Sequence, residues 1–530
     1  MAATARKLVA SPDARVSAPV GAPGIGADQA LLEPTVLLAS GGDGRITLDE
    51  ASGANRYGCG ATPDAGMAPF GSSTASTISL SAHAAVQRLT ERLAEQTLSE
   101  GRPAVYREAL NRIRHKLTGL LGLADMRGLK TILSPSGTDL HRIALYMTAT
   151  GASAPPLVIL PEPYETGSGV IDALGGRLGP SAALRAAMAS GSFAEAVLQP
   201  EIMTAPSRRN DGVLRPAHQI DEDIAVIVST AARMGRRVLL VLMDVSKTGL
   251  ISPSVGCAQD LKQRFPDQVD VLVDACQLRL APATLAGYLR QDFMVAVTGS
   301  KFITGPAFSA ALLVPPTAAL RLQGAVLPAA LAETCVRGEI PDDWLGAPSL
   351  PERSNFGLLV RWEAALEEMQ RFAALSPAAV AGFFADFGAS VAERLWDEDA
   401  FETVMVRPLE RTGLGVHPSW DREQTIFPFL LRANGRLMSP VETLGVQRLL
   451  GLDLKDWAGW SKAGRRAQLG QPVNCGMRNA TPLSALRLCL SARLAVDALA
   501  PGGHGVNAVI ADAMDVLDKT AWLTTRIADQ

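Results

Sequence analysis

Six short apolar runs mark the middle of the chain: LKTILSP, PPLVILP, RRVLLVLMD, VDVLVDA, FMVAVTG and AALLVP. Each is bounded by Gly, Pro or a polar residue and is followed by a helical or turn segment. Near-continuous apolar strands alternating with helices indicate a mostly parallel sheet covered on both faces. The runs lie between about Arg127 and Pro316, and they predict a large α/β domain over 127–355. Upstream, SLSAHAAVQRLTERLAEQTL and AVYREALNRIRHKLTGLLGL carry helical spacing, with Ser79 or Ser81 placed to cap the first. Leu37 to Ser73 is rich in Gly, Ser, Asn and Pro and reads as an irregular segment laid over a surface. Gln323 to Asn355 reads as a long loop region. Beyond it come the helices RWEAALEEMQRFAAL and AVAGFFADFGASVAERLW, then FETVMVRP, QTIFPFLLRA and SALRLCLSARL. This predicts a linking helix and a smaller C-terminal α+β domain over 356–530. The remainder divides into a mobile arm over 1–36 and an N-terminal segment with helices over 37–126.

Composition narrows the function classes. The chain has 530 residues, 47% hydrophobic, enough for more than one core. A net charge of −3 offers no basic excess for nucleic acid or an acidic membrane surface. Six scattered cysteines form no CxxC pair, which argues against a zinc knuckle or a disulfide framework and fits a reducing, cytoplasmic setting. There is no HExxH, and no metal is expected. No apolar run reaches the ~20 residues a membrane helix needs. The N-terminus lacks the apolar core of a secretory signal. A transit peptide is the alternative to a mobile arm there.

Four segments at strand ends carry chemistry. Ser134-Pro-Ser-Gly-Thr-Asp-Leu-His141 follows a strand and opens a helix, where free backbone N–H groups make an anion site. Taken alone it is also an ordinary capped turn. Met243-Asp-Val-Ser-Lys-Thr-Gly249 ends a second strand. Val273-Asp-Ala-Cys-Gln277 ends a third, where Asp274 is placed outside the carboxyl end of a parallel strand. Thr298-Gly-Ser-Lys-Phe302 ends a fourth, and one helix, one strand and their loops separate Asp274 from Lys301. A lysine between two apolar runs is costly to bury unless its charge is used.

In this order the segments resemble the fold-type-I pyridoxal-phosphate enzymes, and among them the class-V aminotransferase and cysteine-desulfurase group. In that group a strand-end Asp, a Gln three positions later and a Lys roughly 25–30 residues on recur. The match is most specific in VDACQ…DFMVAVTGSKFITGP. Ser300 departs from it, standing where many members carry a histidine. The resemblance implies pyridoxal 5′-phosphate as cofactor and Lys301 as its Schiff-base lysine and proton carrier. It implies Asp274 against the ring nitrogen and Gln277 on the phenolic oxygen. The phosphate would meet the turn Ser136, Gly137 and Thr138 with the hydroxyls of Thr298 and Ser300.

Further roles follow from the same resemblance. Ser354 and Asn355 in PERSNFG fall where a hydroxyl crosses a dimer interface to the partner's phosphate; a plain helix N-cap is the other reading. This implies a homodimer with shared sites. Tyr164 or Glu165 falls near the ring-stacking position. Arg487 in ALRLCLSA is placed to fork a substrate carboxylate, its other reading being a surface arginine on an edge strand. Asn55 and Tyr57 are placed at the entrance.

The expected reaction is transamination of an amino acid or amino compound. Cysteine desulfuration or another C–S elimination is the alternative and would need a loop cysteine, for which Cys475 in GQPVNCGMRN is the candidate. Decarboxylation shares the same four segments. A cofactor-binding relative with a regulatory or scaffolding role gains no support, since no helix-turn-helix or basic arm is present.

Overall fold

The computed structural model describes residues 33–167, 169–175, 200–327, 331–332, 335–417 and 419–528. Its strands in chain order are β1 (Met67–Phe70), β2 (Lys130–Ser134), β3 (Leu157–Pro161), β4 (Glu201–Ala205), β5 (Val238–Asp244), β6 (Ile251–Ser252) and β7 (Val269–Ala275). There follow β8 (Met294–Thr298), β9 (Ala310–Val314), β10 (Phe401–Thr403), β11 (Ile426–Ala433), β12 (Arg436–Leu437), β13 (Arg466–Arg478) and β14 (Thr481–Cys489).

All six apolar runs are strands of one sheet, in the order β2-β9-β8-β7-β5-β3-β4, with β6 paired to the end of β5. Strands β8, β7, β5, β3 and β4 are mutually parallel. Strand β9 is antiparallel to both of its neighbours, β8 and β2. The continuous runs are explained by burial: every residue of β5, β7 and β8 is buried. The edge strand β4 was not legible, because a strand with one neighbour needs no continuous apolar run, and Glu201, Met203 and Thr204 on it are exposed.

A second sheet has the order β1-β13-β14-β11-β10, with β12 on β11. It forms the core of the smaller α+β part, but its edge strand β1 comes from the segment expected to be irregular. Strand β1 runs parallel to β13, and Phe70 at its end is fully buried beside Phe387, ring centroids 6.2 Å apart. Four residues, MAPF, carry too little pattern to announce a strand whose partner lies far along the chain. Strand β13 was also missed. Gly470, Pro472 and Gly476 interrupt its pattern, and its register against β14 shifts twice.

The helices follow the sequence more closely. Ser79 caps Leu80–Glu100 by accepting from the Ala82 N–H, and Asn355 caps Phe356–Ala373 by accepting from the Leu358 N–H. Of the expected arm, 1–32 lies outside the described residues, while Pro34–Leu38 is a short helix with Leu37 and Leu38 buried. Arg361 holds this end of the chain in place, donating to the carbonyls of Ser40, Gly41 and Phe308. An aromatic nucleus joins the two sheets. Phe302 stacks on Trp420 at 5.4 Å and meets Phe372 and Phe384 edge-on. Among the described residues no single helix is long and apolar enough to cross a membrane.

Candidate active site

Parallel strands deliver their carboxyl ends to one edge of a sheet, and there the structure opens a cavity of about 370 Å³. The turns after β2, β3, β5, β7 and β8 all contribute to its lining, and β14 of the second sheet closes one side.

After β2, Ser136 caps the helix Gly137–Ala149. Its Oγ accepts from the Asp139 N–H at 3.2 Å and donates to Asp139 Oδ2 at 2.8 Å. A Cβ on Gly137 would stand 2.8 Å from Cys276 Sγ and 3.3 Å from a Thr298 methyl. Only glycine fits, and it leaves the first amides of the helix open to an anion. Thr298 Oγ1 donates to the Cys276 carbonyl at 2.6 Å, and Ser300 Oγ lies 3.4 Å from Thr298 Oγ1.

Asp274 faces His141, which sequence reasoning left without a role. His141 Nε2 is 3.3 Å from Asp274 Oδ2, and its Nδ1 is 2.9 Å from the Gly137 carbonyl. Burial alone would push the Asp274 carboxyl up. The His141 charge, hydrogen bonds from His141 and the Cys276 N–H, and the Lys301 charge outweigh it and hold the group well below the usual carboxylate range. His141 moves the opposite way: burial lowers it, but Asp274 raises it above an ordinary imidazole. The signal was in the sequence. His141 is four residues after Gly137, one helical turn on and on the same face.

Lys301 lines the cavity and has no carboxylate within ion-pair distance among the described residues. Burial, helped by the Arg487 and Arg279 charges, lowers its pKa against the pull of Cys276 and Asp274. Gln277 donates from Nε2 to the Ser73 carbonyl at 3.1 Å, yet its Oε1 is buried without a partner, as is Ser73 Oγ. Arg487, on β14, is buried against its cross-strand neighbour Gly470, where a Cβ would come within 3.0 Å of Arg487 Nε. Its Nη groups donate to the Gln471 and Lys247 carbonyls and to Thr74 Oγ1, and its Nε is unpartnered. It makes no ion pair among the described residues, and it lines the cavity. The surface-arginine reading is therefore excluded.

A second lysine, Lys247, also lines the cavity, on the turn after β5. Burial chiefly, then the Arg487 and Lys301 charges, lowers it to about 8. Glu165 beneath it is buried and fully engaged. It accepts from Ser246 Oγ at 2.8 Å, the Thr248 N–H at 2.9 Å and Thr248 Oγ1 at 2.5 Å, with Arg208 Nε at 3.5 Å. Glu165 thus holds the turn. Tyr164 is 57% exposed at the cavity wall.

Other expected residues are distributed unevenly. Tyr57 lines the cavity together with Arg56 and Arg45, two arginines that the sequence did not single out. Asn55 does not line it. Its Oδ1 accepts from the Tyr57 and Cys59 N–H groups and shapes the turn that carries Tyr57, and the residue faces a neighbouring cleft. Ser354 is half-buried and outside the lining of this chain's cavity. Cys475 is not on a loop. It lies in β13, buried, outside the cavity lining, and burial pushes its thiol up to about 12. Among the described residues no group of three or more His, Cys, Asp or Glu side chains could hold a metal ion.

The His141–Asp274 pair makes a pH prediction. A histidine raised above its unfolded value stabilises the fold fully below pH about 6.5, and the contribution fades as pH climbs through the raised value. The melting-temperature gap between the parent protein and His141→Gln should be widest near pH ~6 and close toward pH ~9. A gap that stays constant over that range would mean that His141 carries no charge at Asp274.

No protein-family model and no curated protein matches the sequence. Solved structures do resemble it. The cysteine desulfurase CsdA of Escherichia coli is 14% identical, with a TM-score of 0.47 over 86% of this chain and 94% of that one. Oryza sativa TDC with PLP and tryptamine is 15% identical, with a TM-score of 0.47 over 86% and 82%. The glutamate decarboxylase domain of diaminobutyrate-pyruvate transaminase and L-2,4-diaminobutyrate decarboxylase from Vibrio parahaemolyticus is 12% identical, with a TM-score of 0.49 over 86% and 80%. At such identities and TM-scores these likenesses carry nothing about substrate or reaction.

Proposed function

We propose that the chain is a pyridoxal-phosphate-dependent enzyme of fold type I that acts on an amino acid or amino compound, and that its reaction is transamination. The observation that carries the reading is the meeting of Lys301, Asp274 and the Gly137 turn in one cavity. The residues present fit the cofactor. The glycine-only approach at Gly137 leaves room beside open amides, and Gln277 Oε1 is a buried acceptor without a partner.

When bound, pyridoxal phosphate supplies an aldehyde that condenses with amines and a ring that withdraws electrons from the substrate α-carbon. Lys301, favoured toward its neutral form by burial, is the amine suited to hold it covalently and afterwards to move the substrate α-proton on Nζ. Asp274, kept anionic by His141, would hold the ring nitrogen in its protonated form. The Gly137 and Thr138 amides with the Thr298 and Ser300 hydroxyls would take the phosphate, and Gln277 would meet the phenolic oxygen. Arg487 would fork the substrate carboxylate, which both halves of a transamination present in turn. Against sulfur abstraction by Cys475 stand its place in β13, its burial and its raised pKa. Decarboxylation shares the cavity and is the second outcome that a product assay distinguishes.

Three measurements test this reading. Protein reconstituted with pyridoxal phosphate should be yellow, and borohydride should fix the label on Lys301, with Lys301→Ala colourless. A label on Lys247 or any other lysine would overturn the assignment.

Arg487→Ala should raise KM for the amino donor about 10- to 100-fold, the value of a charge-assisted pair lost in ground and transition states alike. Cys475→Ser should leave keto-acid formation unchanged. Abundant sulfide from the parent protein, lost in Cys475→Ser, would replace transamination with desulfuration.

The active species should be a homodimer that buries more than ~2,000 Å², with Ser354 of each subunit at the other's phosphate. Light scattering that finds a fully active monomer would remove Ser354 from the site.

A further inference from the structure

The cavity holds more positive charge than the proposed reaction uses. Lys301 is taken by the cofactor and Arg487 by the substrate α-carboxylate, which leaves Lys247 in the wall and Arg56 at the exposed rim. We propose that the substrate carries a second anionic group besides its α-carboxylate, and that Lys247 receives it; this rests on the cofactor reading above.

The geometry supports a binding role for this lysine. Lys247 Nζ donates to the Tyr164 carbonyl at 3.2 Å and has no carboxylate within ion-pair distance among the described residues. Lys247 is half-buried, and an ammonium partly withdrawn from water without an ion-pair partner gains from an anionic ligand. The two acids of the cavity, Glu165 and Asp274, offset burial and the Arg487 and Lys301 charges only in part. Asp274 is engaged with His141, and both Glu165 oxygens are occupied by Ser246, Thr248 and Arg208. Glu165 fixes the turn instead. The Lys247 N–H donates to the Glu165 carbonyl at 3.0 Å, and the Gly249 N–H closes onto the Ser246 carbonyl at 3.1 Å. The lysine is therefore presented on a clamped turn rather than on a free loop.

Its neighbours place it on the substrate side. The Lys247 carbonyl accepts from Arg487 Nη1 at 3.3 Å, so the two cations share one wall. The Gly137 turn, where a phosphate of the cofactor would lie, packs instead on Cys276 and Thr298. Arg56, exposed at the cavity and without an ion pair among the described residues, extends the positive wall outward. The chemistry that matches is an amino acid whose side chain ends in a carboxylate or a phosphate.

The test compares acidic amino acids with neutral counterparts on the reconstituted protein: the near-isosteric pairs L-aspartate with L-asparagine and L-glutamate with L-glutamine, and the larger O-phospho-L-serine with L-serine. Affinity is read from the change in the visible absorption band. At least one acidic member should bind about 10- to 100-fold more tightly than its neutral partner. Lys247→Gln should reduce that preference to less than about threefold, and Lys247→Arg should keep most of it. Which acidic member wins separates carboxylate from phosphate. Calorimetry of succinate against butyrate on the protein without added cofactor, in the same variants, tests Lys247 separately. If borohydride labelling fails but succinate is preferred through Lys247, the cofactor reading falls and the anion site stands. If labelling succeeds but no pair is discriminated, or the preference survives Lys247→Gln, the anion site falls. Should Lys247→Gln not fold, the parent preferences and their retention in Lys247→Arg still decide: absence of either overturns the proposal.

Discussion

Every strand of the large sheet that runs parallel ends at the same edge, and this directional constraint brings together all the cavity groups that this sheet carries. The turns carrying Gly137, Glu165, Lys247, Asp274 and Lys301 are spread widely along the sequence. They meet because each follows, or ends, a strand of common direction. The antiparallel strand β9 turns the chain back and brings Phe308 and Ser309, just ahead of it, to the same edge.

At that edge the balance of charge is unequal. Two carboxylates face the cavity, and both are committed inside the protein, Asp274 to His141 and Glu165 to the turn after β5. Three cations, Lys247, Lys301 and Arg487, have only neutral partners or none among the described residues. Withdrawal of these cations from water makes their charged forms costly, a cost relieved by an anion or, for the lysines, by loss of a proton. The same desolvation lowers both lysines, which a nucleophilic amine requires and a purely structural one does not.

The cavity belongs to both sheets. Arg487 reaches it from β14, and Gly470 on β13 leaves the space that the guanidinium occupies. Lys301 is held from behind by Phe302, whose ring is packed against Phe372, Phe384 and Trp420 and whose carbonyl accepts from the Ala492 N–H at 2.8 Å. Lys301 is thus backed by an aromatic core built from the turn after β8, two helices and the turn at Trp420.

The sequence by itself determined the large sheet, because strands buried on both faces must be apolar at every position and so stand out as continuous runs. It determined the turns after those strands and therefore Asp274, Gln277, Thr298, Ser300 and Lys301 as a group. Pairings between distant parts were not legible. Strand β1 needed β13, and β13, broken by Gly470, Pro472 and Gly476, showed no period of its own. Cys475 looked like a loop residue for that reason. Tertiary structure alone decided that Asn55 shapes a turn, that Glu165 clamps one, that His141 faces Asp274 and that Lys247 forms no ion pair among the described residues. Each of these depends on which side chains converge in space, and sequence spacing constrains that only within a helix or a strand.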